Sequence, residues 1–126
     1  MDKTPTLLLI DDDASVRRLC SRVGTRLGLM MIEAEDGQSG REQFEKHSGT
    51  ISAVLLDMNL PDISGEVLAG EFAGSTPDVP VIFFTGSAAA EEQQTEDGRM
   101  QYYLKKPFTK NSMKTVLEKV GVSTGS

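Results

Sequence analysis

The chain has 126 residues, one cysteine, 38% hydrophobic residues and a formal net charge of −6. That length fits one domain with its own core, and a lone cysteine excludes an internal disulfide. The acidic balance argues against direct nucleic-acid binding, and no apolar run approaches the roughly 18 residues that a membrane span needs.

In chain order, Met1-Asp2-Lys3-Thr4-Pro5 is polar and does not read as a signal peptide. With the unpaired cysteine this points to the cytoplasm. Thr6–Ile10 is a short continuous apolar strand. Val16, Leu19, Cys20, Val23 and Leu27 then follow helical spacing as one buried stripe. Asp13 caps that helix ahead of Ala14, and Gly28 stops it. Met30–Ala34 reads as the second strand. Residues 38–47 form a polar helix that buries little beyond Phe44, and 51–56 a third strand apolar enough for burial on both faces. Ser64 caps a weak helix running to residue 72, with Gly70 as a cost. Residues 79–84 form a fourth strand, with Pro80 tolerated near its start. Residues 101–105 form a fifth. Asn111 caps a last helix that places Met113, Val116, Leu117 and Val120 on one face. Between the fourth and fifth strands, residues 87–98 offer only Ala88, Ala89 and Ala90 to a core. Packing supplies most helical stability, so a fourth helix there is expected to be short, displaced or mobile. Residues 1–120 form the expected domain, and 121–126 are a small polar tail or the start of a linker.

Five strands alternating with helices argue for an α/β fold with a doubly wound parallel sheet. The C-terminal ends of such strands share one edge, where ligands bind. The first strand runs into Asp11-Asp12-Asp13 and the third into Asp57. Carboxylates gathered at one point repel, and a hard divalent cation is the usual remedy. Thr85 and Lys106 follow the fourth and fifth strands. A carboxylate can act as a nucleophile and form an acyl phosphate. Two more can hold Mg²⁺. The cation and a lysine can neutralise a transferring phosphoryl group, and a threonine hydroxyl can donate to it.

The acidic run after strand one, Asp57-Met58-Asn59-Leu60-Pro61-Asp62-Ile63-Ser64-Gly65, Phe84-Thr85-Gly86 and Lys106-Pro107-Phe108 stand in order and at spacing. Together they resemble the receiver domain of two-component response regulators, of the chemotaxis-regulator kind, over essentially the whole chain. The resemblance implies a flavodoxin-like (βα)5 fold with a five-stranded parallel sheet in strand order 2-1-3-4-5. It implies that Asp57 takes a phosphoryl group from the phosphohistidine of a histidine kinase or histidine phosphotransfer protein. Mg²⁺ is the implied cofactor, with Mn²⁺ able to substitute. Asp12 is then a direct metal ligand, Asp11 acts partly through water, and Asp57 and the backbone carbonyl of Asn59 complete the set. Lys106 pairs with the phosphorylated aspartate. Thr85 moves toward the phosphoryl group and lets Tyr103 rotate inward, which signals to a downstream protein or output domain. The Lys106–Pro107 bond is expected to be cis, and the side chains of Asn59 and Ser87 occupy positions that tune dephosphorylation. The chain departs from the family in the polar, compressed stretch 85–106 and in Gly98-Arg99 ahead of the fifth strand, while Gly86 leaves the acceptor open.

A phosphoacceptor of this kind is not an enzyme on other substrates; it catalyses only its own phosphorylation and dephosphorylation. Two other readings compete. A degenerate receiver would serve as a constitutive protein-binding module. A Mg²⁺-dependent phosphatase of the haloacid-dehalogenase type would want a second acid where Asn59 stands. Plainer roles suit several residues. Arg18, Arg22 and Arg26 form a basic stripe that is a solvated face or, on the sharper reading, a docking edge. His47 suits a helix C-terminus. Cys20 falls in the core, and Tyr102 is expected on the sheet face opposite Tyr103.

Overall fold

The structure, a computed structural model, describes residues 4–86, 93–94 and 100–124. Strands β1 (Thr6–Ile10), β2 (Met30–Ala34), β3 (Ala53–Asp57), β4 (Val81–Thr85) and β6 (Met100–Lys105) form a parallel sheet in the order β2-β1-β3-β4-β6. This is the expected order of five strands. A two-residue strand, β5 (Gln93–Gln94), adds an antiparallel edge to β6.

The strands are continuous apolar runs because both faces are covered. Their side chains alternate between two cores. Leu7, Leu9, Leu55 and Phe84 face one; Leu8, Ile10, Leu56 and Phe83 face the other. Helices α1 (Ala14–Arg26) and α4 (Lys110–Lys119) cover the first face through Cys20, Met113 and Leu117. Helices α2 (Gly37–Lys46) and α3 (Gly65–Ser75) cover the second, where Phe44 and Phe72 stack with ring centroids 4.1 Å apart.

Asp13 caps α1 and Ser64 caps α3, as expected. Gly28, with φ of 88°, ends the first helix in the left-handed region that glycine favours. Two expectations are corrected. Leu19 lies beside the buried stripe rather than in it and is 48% exposed. The cap of α4 is Thr109, not Asn111, through a reciprocal pair of bonds with Ser112. The stretch expected to hold a fourth helix carries β5 at Gln93–Gln94; its other positions between 87 and 98, Ser87 among them, lie outside the described residues.

Candidate functional site

Sheet register builds the site. Ile10 pairs with Ala34 on one side and Leu56 on the other, so the residue after each strand falls at a common edge. Asp57 ends β3 opposite Phe84, and Thr85 ends β4 opposite Lys105. The Lys106 N–H donates to the Thr85 carbonyl at 2.8 Å. The edge thus brings together Asp11, Asp12, Asp57, Thr85 and Lys106.

Asp11 is fully buried. Its backbone N–H donates to the Ala34 carbonyl at 3.1 Å, and its Oδ1 accepts from the Asp13 N–H at 2.9 Å. Its carbonyl accepts from Arg17 Nη1 at 2.6 Å. Asp12 is exposed. Asp57 is buried, and its Oδ1 accepts from the Asn59 N–H at 3.1 Å. Oxygens of Asp11, Asp12 and Asp57 all lie within 4.8 Å of one another. Lys106 Nζ sits 2.9 Å from Asp11 Oδ2, 3.8 Å from Asp57 Oδ2 and 4.7 Å from the centre of the Phe84 ring. Its peptide bond to Pro107 is cis, as expected.

Burial holds the Asp57 carboxyl above the usual carboxylate range, and the neighbouring Asp11 and Asp12 push the same way against the Asn59 N–H and Lys106. Three carboxylates beside one ammonium leave an excess of negative charge. Although Lys106 is within ion-pair distance, Asp11 Oδ2 receives no hydrogen bond. A buried acceptor with spare capacity, next to an exposed and a half-screened carboxylate, fits a small divalent cation with oxygen ligands.

The loop after β3 is tightly closed. The Gly65 N–H donates to the Met58 carbonyl at 2.9 Å, and Asn59 and Ser64 form an isolated antiparallel bridge. A Cβ on Gly65 would stand 2.5 Å from the Asp57 carbonyl oxygen, so glycine lets α3 start against the Asp57 backbone. Two residues of this neighbourhood escape sequence reasoning. Arg17 holds the Asp11 carbonyl and pairs with Glu33 at 3.6 Å; its signal is a basic residue in the first turn after an acidic run. Asp62 accepts from the N–H groups of Gly37 and Gln38 at 2.8 and 2.9 Å. No local pattern announces a partner 25 residues away.

Tyr103 packs against Phe83, with ring centroids 5.6 Å apart, and its hydroxyl donates to Gln101 Oε1 at 3.0 Å. Tyr102 packs into the opposite core. Arg18, Arg22 and Arg26 are exposed on α1. His47 is the C-terminal cap of α2, and burial pushes the Cys20 thiol up to about 12, which makes it an inert core residue.

Residues 7–118 match the response regulator receiver domain family. The chain belongs to that family. It is 31% identical to the chemotaxis protein CheY homolog of Campylobacter jejuni, across 95% of this chain and 94% of that one. It is 25% identical to the autoinducer 1 sensor kinase/phosphatase LuxN of Vibrio harveyi, across 92% of this chain but only 13% of LuxN. A receiver-domain crystal structure from Clostridium thermocellum shares the fold with a TM-score of 0.80 at 24% identity, covering 92% of this chain and 93% of that one. The response regulator TrrA of Thermotoga maritima, solved in complex with Mg²⁺-BeF, superposes with a TM-score of 0.76 at 25% identity over 93% of this receiver and 99% of TrrA. The fold and the two-component signalling class follow. Among the described residues no helix is long and apolar enough to cross a membrane.

Proposed function

We propose that this receiver takes a phosphoryl group from the phosphohistidine of a histidine kinase or phosphotransfer protein onto Asp57, in a Mg²⁺-dependent reaction, and signals downstream by a change of conformation. The observation that carries the reading is the convergence of three carboxylates and Lys106 at one sheet edge. Asp11, Asp12, Asp57 and the Asn59 carbonyl are the groups that would hold the metal. When bound, Mg²⁺ supplies positive charge to the three carboxylates and to the transferring phosphoryl group. The carboxylate of Asp57 attacks phosphorus, an O–P bond forms, the P–N bond breaks, and the imidazole leaves with its electron pair. The Asn59 N–H orients the acceptor carboxylate. Lys106 neutralises charge on the acyl phosphate, and Thr85, buried at the end of β4, donates its hydroxyl to a phosphoryl oxygen. Tyr103 follows Thr85 inward, leaving Gln101. The Mg²⁺-BeF complex of TrrA supports the same chemistry here.

On this reading the protein works in the cytoplasm and turns over no substrate but its own phosphoryl group. Whether it acts alone, as the match to the Campylobacter chemotaxis protein suggests, or within a longer sensor such as LuxN is a matter of the surrounding chain. The test is intact mass after incubation with Mg²⁺ and acetyl phosphate or phosphoramidate, with Asp57→Asn alongside. One phosphoryl adduct, lost in the variant and without Mg²⁺, is the expected result. A folded protein that takes no adduct and ignores beryllofluoride would leave the constitutive binding module. Turnover of a small phosphate ester well beyond one equivalent would revive the phosphatase.

A further inference from the structure

We propose that Asp62 is a positioning residue for the metal site. By clamping loop 58–65 to the first turn of α2, it sets where the Asn59 backbone stands and so tunes divalent-cation affinity. This rests on the proposed function, in which the Asn59 carbonyl is a ligand.

Both oxygens of Asp62 are used. Oδ1 accepts from the Gly37 N–H at 2.8 Å and Oδ2 from the Gln38 N–H at 2.9 Å. Helix N-termini leave such donors without intrahelical partners. The local capping box of α2 serves other donors: Asp36 Oδ1 accepts from the Ser39 N–H at 2.7 Å, and Ser39 Oγ accepts from the Asp36 N–H at 3.2 Å. Asp62 therefore supplies, from a different element, the two acceptors that the local box does not provide, which fixes the loop to the helix start. The two N–H groups hold its carboxyl below the usual range, so it is ionised and the bonds are charge-assisted.

Packing around the clamp is close. A Cβ on Gly37 would collide with the Ile63 side chain and stand 3.1 Å from Asp62 Oδ1, so the first turn of α2 lies flush on 62–63. The loop transmits this position. It is closed by the Asn59–Ser64 bridge and the Gly65–Met58 bond, and the Asn59 N–H reaches the acceptor carboxylate. On the other side, α2 follows β2, whose Ala34 carbonyl accepts from the Asp11 N–H. Asp62 thus ties the loop after Asp57 to the strand end that steadies Asp11.

The test titrates Mg²⁺ calorimetrically into wild type, Asp62→Asn and Asp62→Ala, with melting temperature and amide exchange at Gly37 and Gln38 read on the same samples. The alanine variant is expected to bind Mg²⁺ about tenfold more weakly, the lower end of what outer-shell partners cost. Asparagine keeps one acceptor oxygen and recovers part of that loss. In acetyl phosphate labelling, the Mg²⁺ concentration for half-maximal rate rises while the rate at saturating Mg²⁺ is kept. If the alanine variant does not fold, the near-isosteric asparagine variant carries the test. Faster exchange at Gly37 and Gln38 with Mg²⁺ affinity within about twofold of wild type would overturn the proposal and leave Asp62 a plain cap of α2. Wild type that neither binds Mg²⁺ nor takes an adduct would overturn the proposed function instead.

Discussion

Lys106 Nζ lies 2.9 Å from Asp11 Oδ2 but 3.8 Å from Asp57 Oδ2, so the ammonium leans on Asp11 rather than on Asp57. Lys106 is therefore the counter-charge of Asp11. On the proposed function, a divalent cation held by Asp11, Asp12 and Asp57 would compete with it for the same oxygens.

Replacing the lysine separates these roles. Lys106→Met leaves Asp11 buried without a counter-charge, which is expected to lower metal-free stability by about 2–4 kcal/mol. The same change removes a competitor of the metal, so Mg²⁺ affinity is expected to rise by about three- to tenfold. Phosphorylation from acetyl phosphate should fall despite the tighter metal. Thermal melts with and without Mg²⁺, with calorimetric titration, check the pair of signs. Unchanged Mg²⁺ affinity would mean that Lys106 and the metal do not share Asp11.

The buried carboxyl of Asp57 predicts a pH signature. Burial raises the Asp57 pKa above its ordinary 3.8. A carboxyl with a raised folded-state pKa holds its proton more tightly when folded than when unfolded. Its stabilising contribution is complete below the unfolded value and is lost as pH rises through the folded one. Above that window the ionised Asp57 is a cost, and Asp57→Asn removes it. Without metal at neutral pH, the variant is expected to melt at a higher temperature than wild type. Below about pH 3, where the carboxyl is protonated in both states, the two melting curves should converge. Added Mg²⁺ should stabilise wild type by mass action and narrow the gap. Melts across pH decide it; a variant less stable at neutral pH would contradict the sign.

The phenol of Tyr103 is raised by burial and, secondly, by the carboxylate of Glu66 in the first turn of α3. In an alkaline absorbance titration Tyr103→Phe should remove the Tyr103 component. Glu66→Gln should bring that component to lower pH without abolishing its upward shift, because burial remains. A Glu66→Gln titration superimposable on wild type would show that the charge of Glu66 does not reach the ring.

Much of this was legible in the sequence. The strands were, because a parallel strand buried on both faces is an unbroken apolar run, and β1 and β2 fall at their expected bounds. The gathering of Asp11, Asp12, Asp57, Thr85 and Lys106 was legible for the same reason: strand ends share an edge. Features set by tertiary contact were not. Leu19 matches the helical spacing but lies just outside the arc that meets the sheet. Thr109 and Asn111 are both capping residue types, and the reciprocal partner is Ser112 rather than the glutamate or glutamine of the usual pattern. The polar stretch after β4 gives no hydrophobic period to read, and its described part is a strand of two residues. Asp62 looks like any loop acid until α2 is folded over it.

Two glycines in α3 should respond to alanine with opposite signs. At Gly65 the new Cβ would stand 2.5 Å from the Asp57 carbonyl oxygen and 2.8 Å from Met58 Cα, both backbone atoms. Relief requires the helix start or the loop to move, at a cost of about 1–3 kcal/mol. Because the same loop presents Asn59 to Asp57, phosphorylation should slow as well. At Gly70 a Cβ meets nothing within 4 Å, and the position is an exposed helix interior. There alanine reduces the entropy lost on folding and is expected to add about 0.5–1 kcal/mol. Chemical denaturation of the two single variants, read beside acetyl phosphate labelling, tests both. Gly70→Ala should label at the wild-type rate, and a Gly65→Ala protein as stable and as active as wild type would show that α3 does not start against the acceptor's backbone.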